Sequence, residues 1–219
     1  MHNTVKNLLD IDNNIKVYLK KLNINNNPKI VAVSKTFKID KILPLIEHGH
    51  IDFGENKVQE ALEKWTEIKK KDSKVRLHMI GKLQTNKVKF AVQIFDYIHS
   101  VDSEKLAKKI ADEQNKINKK IKIFLQVNIG DENQKSGINK SDVSKLVSYC
   151  KEIDLDLIGL MCIPPANIDP EGYFEEMNKL NKTLDLSELS MGMSSDFLIA
   201  AKHYSTFVRV GSGIFGQRF

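Results

Sequence analysis

Eight short apolar runs recur along this chain with amphipathic stretches between them, and that alternation limits the fold more than any other feature of the sequence. The runs cover 30–34, 51–54, 77–81, 97–101, 121–129, 155–163, 189–193 and 207–211. Between them, 38–48, 57–70, 103–118, 140–151 and 171–184 carry apolar residues at helical spacing, with Ser103 and Ser141 placed as N-caps.

Strands separated by helices must run parallel through right-handed crossovers. IFLQVNI and LIGLMCI are apolar on both faces, as strands of a buried parallel sheet require. Eight such units closing on themselves give an α/β fold, a (β/α)8 TIM-type barrel; an open doubly wound sheet is the alternative, since strand count alone separates the two. No Pro/Ser-rich hinge divides the chain, so 1–219 reads as a single domain.

An additional helix precedes the first strand. Val5, Leu8, Leu9, Ile15, Leu19 and Leu22 form its apolar face, and NINNNP at 23–28 ends it. Docking on a membrane surface is the competing reading of that face, weakened by Asp10 and Asp12.

Composition excludes more than it selects. Lys+Arg 34 against Asp+Glu 28 leaves +6, but only Arg76, Arg209 and Arg218 are arginines. Lysines supply point charges rather than the planar forks that read base edges, so no nucleic-acid partner is expected. Cys150 and Cys162 fit a reducing compartment and form no zinc-spaced cluster. With no signal-peptide core and no membrane-length apolar stretch, the chain reads as cytoplasmic, without a membrane partner.

In a barrel of this kind chemistry collects at the C-terminal ends of the strands. The first run ends in Lys35, whose amine, held in apolar surroundings, can attack an aldehyde; a lysine opening a loop into water is the plain alternative. The second ends with Glu55 and Asn56, where Asn56 offers a hydrogen bond to a ring substituent unless the pair merely caps the next helix. His78 in the third reads as a packing residue with no nameable partner acid, and Lys135 after the fifth reads as part of a surface loop.

The last two units differ in kind. SMGMSSDF brings Gly192 beside Ser194 and Ser195, which open a short helix, and VRVGSGIFGQR packs Gly211, Gly213 and Gly216 around Ser212. Glycine turns leading into helices expose N–H groups that cradle a phosphate, although tight barrel-closing turns would look the same. Arg209 shares the inward parity of Gly211 and needs an acceptor: a carbonyl, a ligand nitrogen, or a carboxylate, with an internal salt bridge to an acid such as Glu55 as the plain alternative. An inward lysine, a phosphate cradle and an arginine between them suit pyridoxal 5′-phosphate (PLP).

The ordered fragments AVSKT, DFGEN-K-VQE, H-IG-LQ-NK, SVDS, QVNI, K-SG, GLM, LSMGMS-DF and VR-G--IFG-R resemble the pyridoxal phosphate homeostasis proteins across nearly the whole chain. These are single-domain relatives of the PLP-binding barrel of alanine racemase, of fold-type III. The resemblance implies PLP as cofactor, joined to Lys35 as an internal aldimine (a Schiff base). It implies further that Ser194, Gly211 and Ser212 hold the phosphate, that Arg209 faces the pyridine nitrogen and that Asn56 lines the ring. Two departures stand out: Tyr204-Ser205-Thr206 where the family usually has Gly-Ser-Thr, and Gly211-Ser212-Gly213 where it usually has Gly-Thr-Ala.

A cationic Arg209 disfavours protonation of the ring nitrogen and so weakens the electron sink that PLP catalysis needs. In alanine racemase the second acid/base is a tyrosine from a further, β-rich domain, for which this chain has no residues left over. The expectation is therefore a PLP carrier in vitamin B6 homeostasis, not an enzyme, a monomer or weak dimer that buffers PLP or delivers it to PLP-requiring apoenzymes. An amino-acid racemase acting through Lys35 is the alternative, and a lysine-rich nucleic-acid binder the third class.

Overall fold

The computed structural model describes residues 1–132 and 136–217. Lys135 and Arg218 lie outside the described residues, and with them the start of the K-SG fragment and the end of the VR-G--IFG-R fragment. Helix α1 (Asn3–Lys21) is followed by β1 (Lys29–Val33), α2 (Ile39–Glu47), β2 (Asp52–Glu55), α3 (Val58–Lys71), β3 (Arg76–Met79), α4 (Val88–Ile94), β4 (Tyr97–Val101) and α5 (Glu104–Lys116). The second half runs β5 (Lys122–Val127), α6 (Val143–Glu152), β6 (Asp156–Cys162), α7 (Glu171–Thr183), β7 (Glu188–Ser190), α8 (Phe197–Lys202), β8 (Phe207–Val210) and α9 (Ser212–Phe215).

Every strand pairs in parallel with its sequence neighbour, and β1 closes onto β8 with Val31 opposite Arg209. The closed ring is the (β/α)8 barrel and not the open sheet. Its interior identifies itself by contact: Val31, Tyr97, Phe124, Met161 and Phe207 come from five different strands yet form one cluster, which only the inside of a barrel allows. A second and larger core lies between strands and helices, where Phe53 meets Trp65 at 4.8 Å.

The N-terminal helix covers the seam where the barrel closes. Val5, Leu8, Ile11, Ile15 and Leu19 are buried, and α1 packs against α2, α8 and α9. Each such side chain taken out of water stabilises by about 1.5–3 kcal/mol. Leu9 and Leu22, placed on this face from sequence, are instead exposed, and Ile11 takes the buried position between Leu8 and Ile15. The face that membrane docking would have used is thus packed on other helices of the same chain. Among the described residues no helix is long and apolar enough to cross a membrane.

Local signals account for several boundaries. Ser103 caps α5 by accepting from the N–H of Leu106, as its position predicts. Ser141 does not cap: it lies within a single turn of 3-10 helix over Lys140–Asp142 that leads into α6. The seventh strand ends at Ser190, short of the sequence expectation, because Gly192 turns the backbone at φ +91, where an added Cβ would fall 2.5 Å from the Cβ of Ala200.

Candidate functional site

Lys35 follows the last residue of β1 by two positions. Val31 belongs to the interior cluster, so Val33 and Lys35 share its inward face. The residues flanking Lys35 are fixed from behind. Ser34 is buried, and its Oγ donates to Glu55 Oε1 at 2.7 Å. Thr36 holds φ at +69, a region a β-branched residue occupies only under constraint, and its N–H donates to Glu60 Oε1 at 2.6 Å. Lys64 Nζ ties the group together by donating to Ser34 O, Glu55 Oε1 and Glu60 Oε1 at 2.9, 3.0 and 2.9 Å. Burial alone would raise the Glu60 carboxyl, but Lys64 and the Thr36 N–H hold it below its ordinary value.

Lys35 and Asn56 line one cavity of about 390 Å³ at the C-terminal ends of the strands. Its wall continues through Ile80, Lys82, Gln126 and Asn128. The size lies in the range of small-molecule sites, and the two lysines bias it toward an anion. Asn56 Oδ1 is buried there with no hydrogen-bond partner, an acceptor awaiting a donor. Gly81 lets the third strand press close to it, since a Cβ at 81 would fall 2.5 Å from the Asn56 carbonyl oxygen. Neither Glu55 nor Asn56 caps α3, whose N-cap position is Lys57.

On the neighbouring strand, Arg209 is buried at 4% exposure. Its Nη1 donates to Ser190 Oγ at 2.6 Å and its Nη2 to the Cys162 carbonyl oxygen at 2.9 Å. The internal salt bridge to Glu55 does not form. Gly54 faces the interior against Val31 and Val33, so Glu55 points the opposite way, toward Lys64 and Trp65. Beyond Arg209, the N–H groups of Gly211 and Gly213 converge on Ser194 Oγ at 3.3 and 3.4 Å. Ser194 lies in the turn before α8 rather than in the helix, and Ser212 opens α9 with its side chain exposed.

The six expected residues therefore fall into two sets on adjoining strands. Lys35 and Asn56 share the cavity wall, while Ser194 and Gly211 meet in the turn after β8. The sets abut, because a Cβ at Gly211 would stand 3.4 Å from Val33 Cβ, two residues before Lys35. Gln126 and Asn128 were not singled out from sequence; their parity with Phe124 on β5 was the available signal. Both brace the loop that follows, Gln126 Nε2 donating to Ser136 O and Asn128 Nδ2 to Glu132 O. Nor was a partner for His78 named, although Asp52 Oδ1 lies 2.9 Å from its Nε2.

A family model described as alanine racemase, N-terminal domain, matches residues 7–218. The pyridoxal phosphate homeostasis protein of Haemophilus influenzae is 36% identical over 232 residues, covering 99% of this chain and 96% of that one. The chain belongs to the pyridoxal phosphate homeostasis protein family. Among solved structures of this family, PipY of Synechococcus elongatus PCC7942 with PLP bound matches at a TM-score of 0.82 and 32% identity, over 92% of this chain and 100% of that chain. Alanine racemase of Clostridium difficile 630 matches at a TM-score of 0.72 and 15% identity, over 99% of this chain and 57% of that chain, a likeness of fold alone. The homeostasis family thus uses the barrel of the racemase.

Proposed function

We propose that this chain binds PLP at the C-terminal mouth of its barrel and acts in PLP homeostasis, holding the cofactor and handing it on rather than turning over a substrate. The residues fit the group. A cavity of about 390 Å³ holds one inward lysine and one orphaned amide oxygen, and a turn with two converging N–H groups lies on the adjoining strand. The observation that carries the reading is the placement of Lys35 on that cavity wall with Arg209 and Gly211 on the strand beside it.

PLP supplies an aldehyde carbon that an amine converts to an imine with loss of water. Lys35 is the amine in this reading. Ser194, Gly211 and Ser212 receive the phosphate, where the hydroxyl and N–H groups that now meet each other would turn to its oxygens. Arg209 faces the pyridine nitrogen and Asn56 lines the ring. A guanidinium there keeps that nitrogen unprotonated, which suits storage better than carbanion chemistry. PLP-requiring apoenzymes are the recipients.

A spectroscopic titration with PLP tests this. The unsubstituted protein is expected to develop the yellow imine band and retain it through desalting. Ser194→Ala and Arg209→Ala are expected to weaken retention at least tenfold while the band still forms. Incubation of the loaded protein with L- and D-amino acids should leave optical rotation unchanged; racemisation at an enzymatic rate would favour the alternative of a fold-type III enzyme.

A further inference from the structure

A file of buried polar side chains crosses the barrel interior from β2 to β8. Asp52 receives Arg76 Nε at 2.8 Å and Arg76 Nη2 at 2.6 Å, and His78 Nε2 lies 2.9 Å from Asp52 Oδ1. His78 Nδ1 lies 2.9 Å from His99 Nε2, and His99 Nδ1 lies 2.7 Å from Ser190 Oγ, which accepts from Arg209 Nη1 at 2.6 Å. Asp52, His78, His99, Ser190 and Arg209 come from five strands, and all are buried.

With both rings neutral, the two ends fix every proton between them. A carboxylate only accepts and a guanidinium only donates. His78 Nε2 therefore carries the hydrogen shared with Asp52, which leaves Nδ1 of the neutral ring as an acceptor. His99 Nε2–H must donate to it, His99 Nδ1 must accept, and the Ser190 hydroxyl must donate there while its oxygen accepts from Arg209. Every link has the same polarity, and hydrogen bonds aligned in one direction polarise and strengthen one another.

Packing holds the rings in these roles. His78 stacks on Tyr97 with centroids 4.2 Å apart and 9° between planes, and His99 stacks on Phe124 at 4.4 Å and 27°. Burial pushes both imidazoles below their ordinary value. Asp52 opposes the shift at His78, whereas His78 and Arg209 deepen it at His99. Both shifts favour the neutral rings that the single polarity assumes.

We propose that Asp52, His78, His99 and Ser190 are positioning residues for Arg209, forming a relay of aligned hydrogen bonds, anchored on the Asp52–Arg76 ion pair, that holds the guanidinium in one orientation. Among the described residues Arg209 has no salt-bridged acid, and a buried cation without a counter-charge is costly. Burial pushes Arg209 below its ordinary value and Asp196 is the acid that acts back on it, while the four hydrogen bonds of the relay satisfy and orient the guanidinium. Its purpose rests on the reading that Arg209 faces the pyridine nitrogen of PLP; its existence does not.

The test accordingly has two arms. In the unsubstituted protein without added cofactor, imidazole nitrogen and proton resonances are followed between about pH 5.5 and 8. The expected result is two neutral Nε2–H tautomers, protected from exchange and unmoved over the range, with Ser190→Ala displacing the His99 Nδ1 resonance. A ring in the Nδ1–H tautomer, or one titrating as an ordinary histidine, would overturn the relay whether or not PLP binds.

In the second arm, PLP is titrated into variants. Ser190→Ala and Asp52→Asn are expected to weaken retention about tenfold and to shift the absorbance of the bound chromophore, with Ser190→Thr restoring both. Retention and spectrum unchanged in both variants would remove the positioning role. Failure of the unsubstituted protein to bind PLP would instead defeat the cofactor reading, and the imidazole resonances would still decide the relay.

Discussion

Phe37 stacks on Phe215, their ring centroids 4.9 Å apart and their planes 26° from parallel. The contact joins the loop that begins at Lys35 to α9, which follows the Gly211 turn. The two sets of site residues are thereby held by one aromatic pair as well as by strand pairing. Phe37→Ala is expected to destabilise the fold by about 2 kcal/mol, below the full-core range because Phe37 is only half-buried. PLP retention should fall with it while Lys35 stays reactive, and denaturant unfolding beside a PLP titration reads both effects.

The two cysteines should be inert in the native state. Burial pushes both thiols up to about 12, leaving almost no thiolate at neutral pH. A thiol reagent at pH 8 is expected to label neither Cys150 nor Cys162 until denaturant is added. Rapid labelling of Cys162 in the folded protein would contradict its place under Arg209.

Stability should fall as the solution is acidified from neutrality. His78 and His99 stay unprotonated in the fold below their ordinary value of 6.5, whereas the unfolded chain takes up those protons near 6.5. The unfolded state therefore binds more protons as pH drops through that point, and each withheld proton costs about 1.4 kcal/mol per pH unit. His50, also lowered by burial, adds to the same slope. The depressed carboxylates Asp52 and Glu60 act in a lower window, below 3.8 and 4.5 respectively. Urea midpoints at pH 7.5 and 5.5 check this, a clear drop being expected and equality being the contrary result.

Tyr204 stands in the left-handed region at φ +65, a conformation in which glycine is at ease and a tyrosine is not. Tyr204 is 45% exposed and its ring carries Lys182 Nζ at 5.1 Å, an exposed contact that only partly offsets the backbone cost. Tyr204→Gly is expected to raise stability by about 0.5–1 kcal/mol, or a melting temperature a few degrees higher. A lower melting temperature would show that the side chain does more than occupy the turn.

The ladder of strands was legible because each apolar run is short and bounded, and 97–101 coincides with β4. Lys35, Asn56 and Arg209 were legible because polar residues at strand ends or at inward parity stand out against Val, Ile and Leu. The partners of Arg209 were not. Ser190 and His99 are 91 residues apart, and only ring closure brings their strands into one interior. Glu55 looked equally able to face inward until the register put Gly54 there. Inward parity applied to polar residues on every strand, Asp52, His78, His99 and Ser190 included, was the unused signal.

In the proposed function Lys35 is the amine that captures PLP. The protein is loaded with PLP, reduced with borohydride, digested and mapped by mass spectrometry. A single reduced pyridoxyl adduct on Lys35, lost in a folded Lys35→Ala protein, is the predicted result. An adduct that persists in that variant and maps to another lysine would contradict the account.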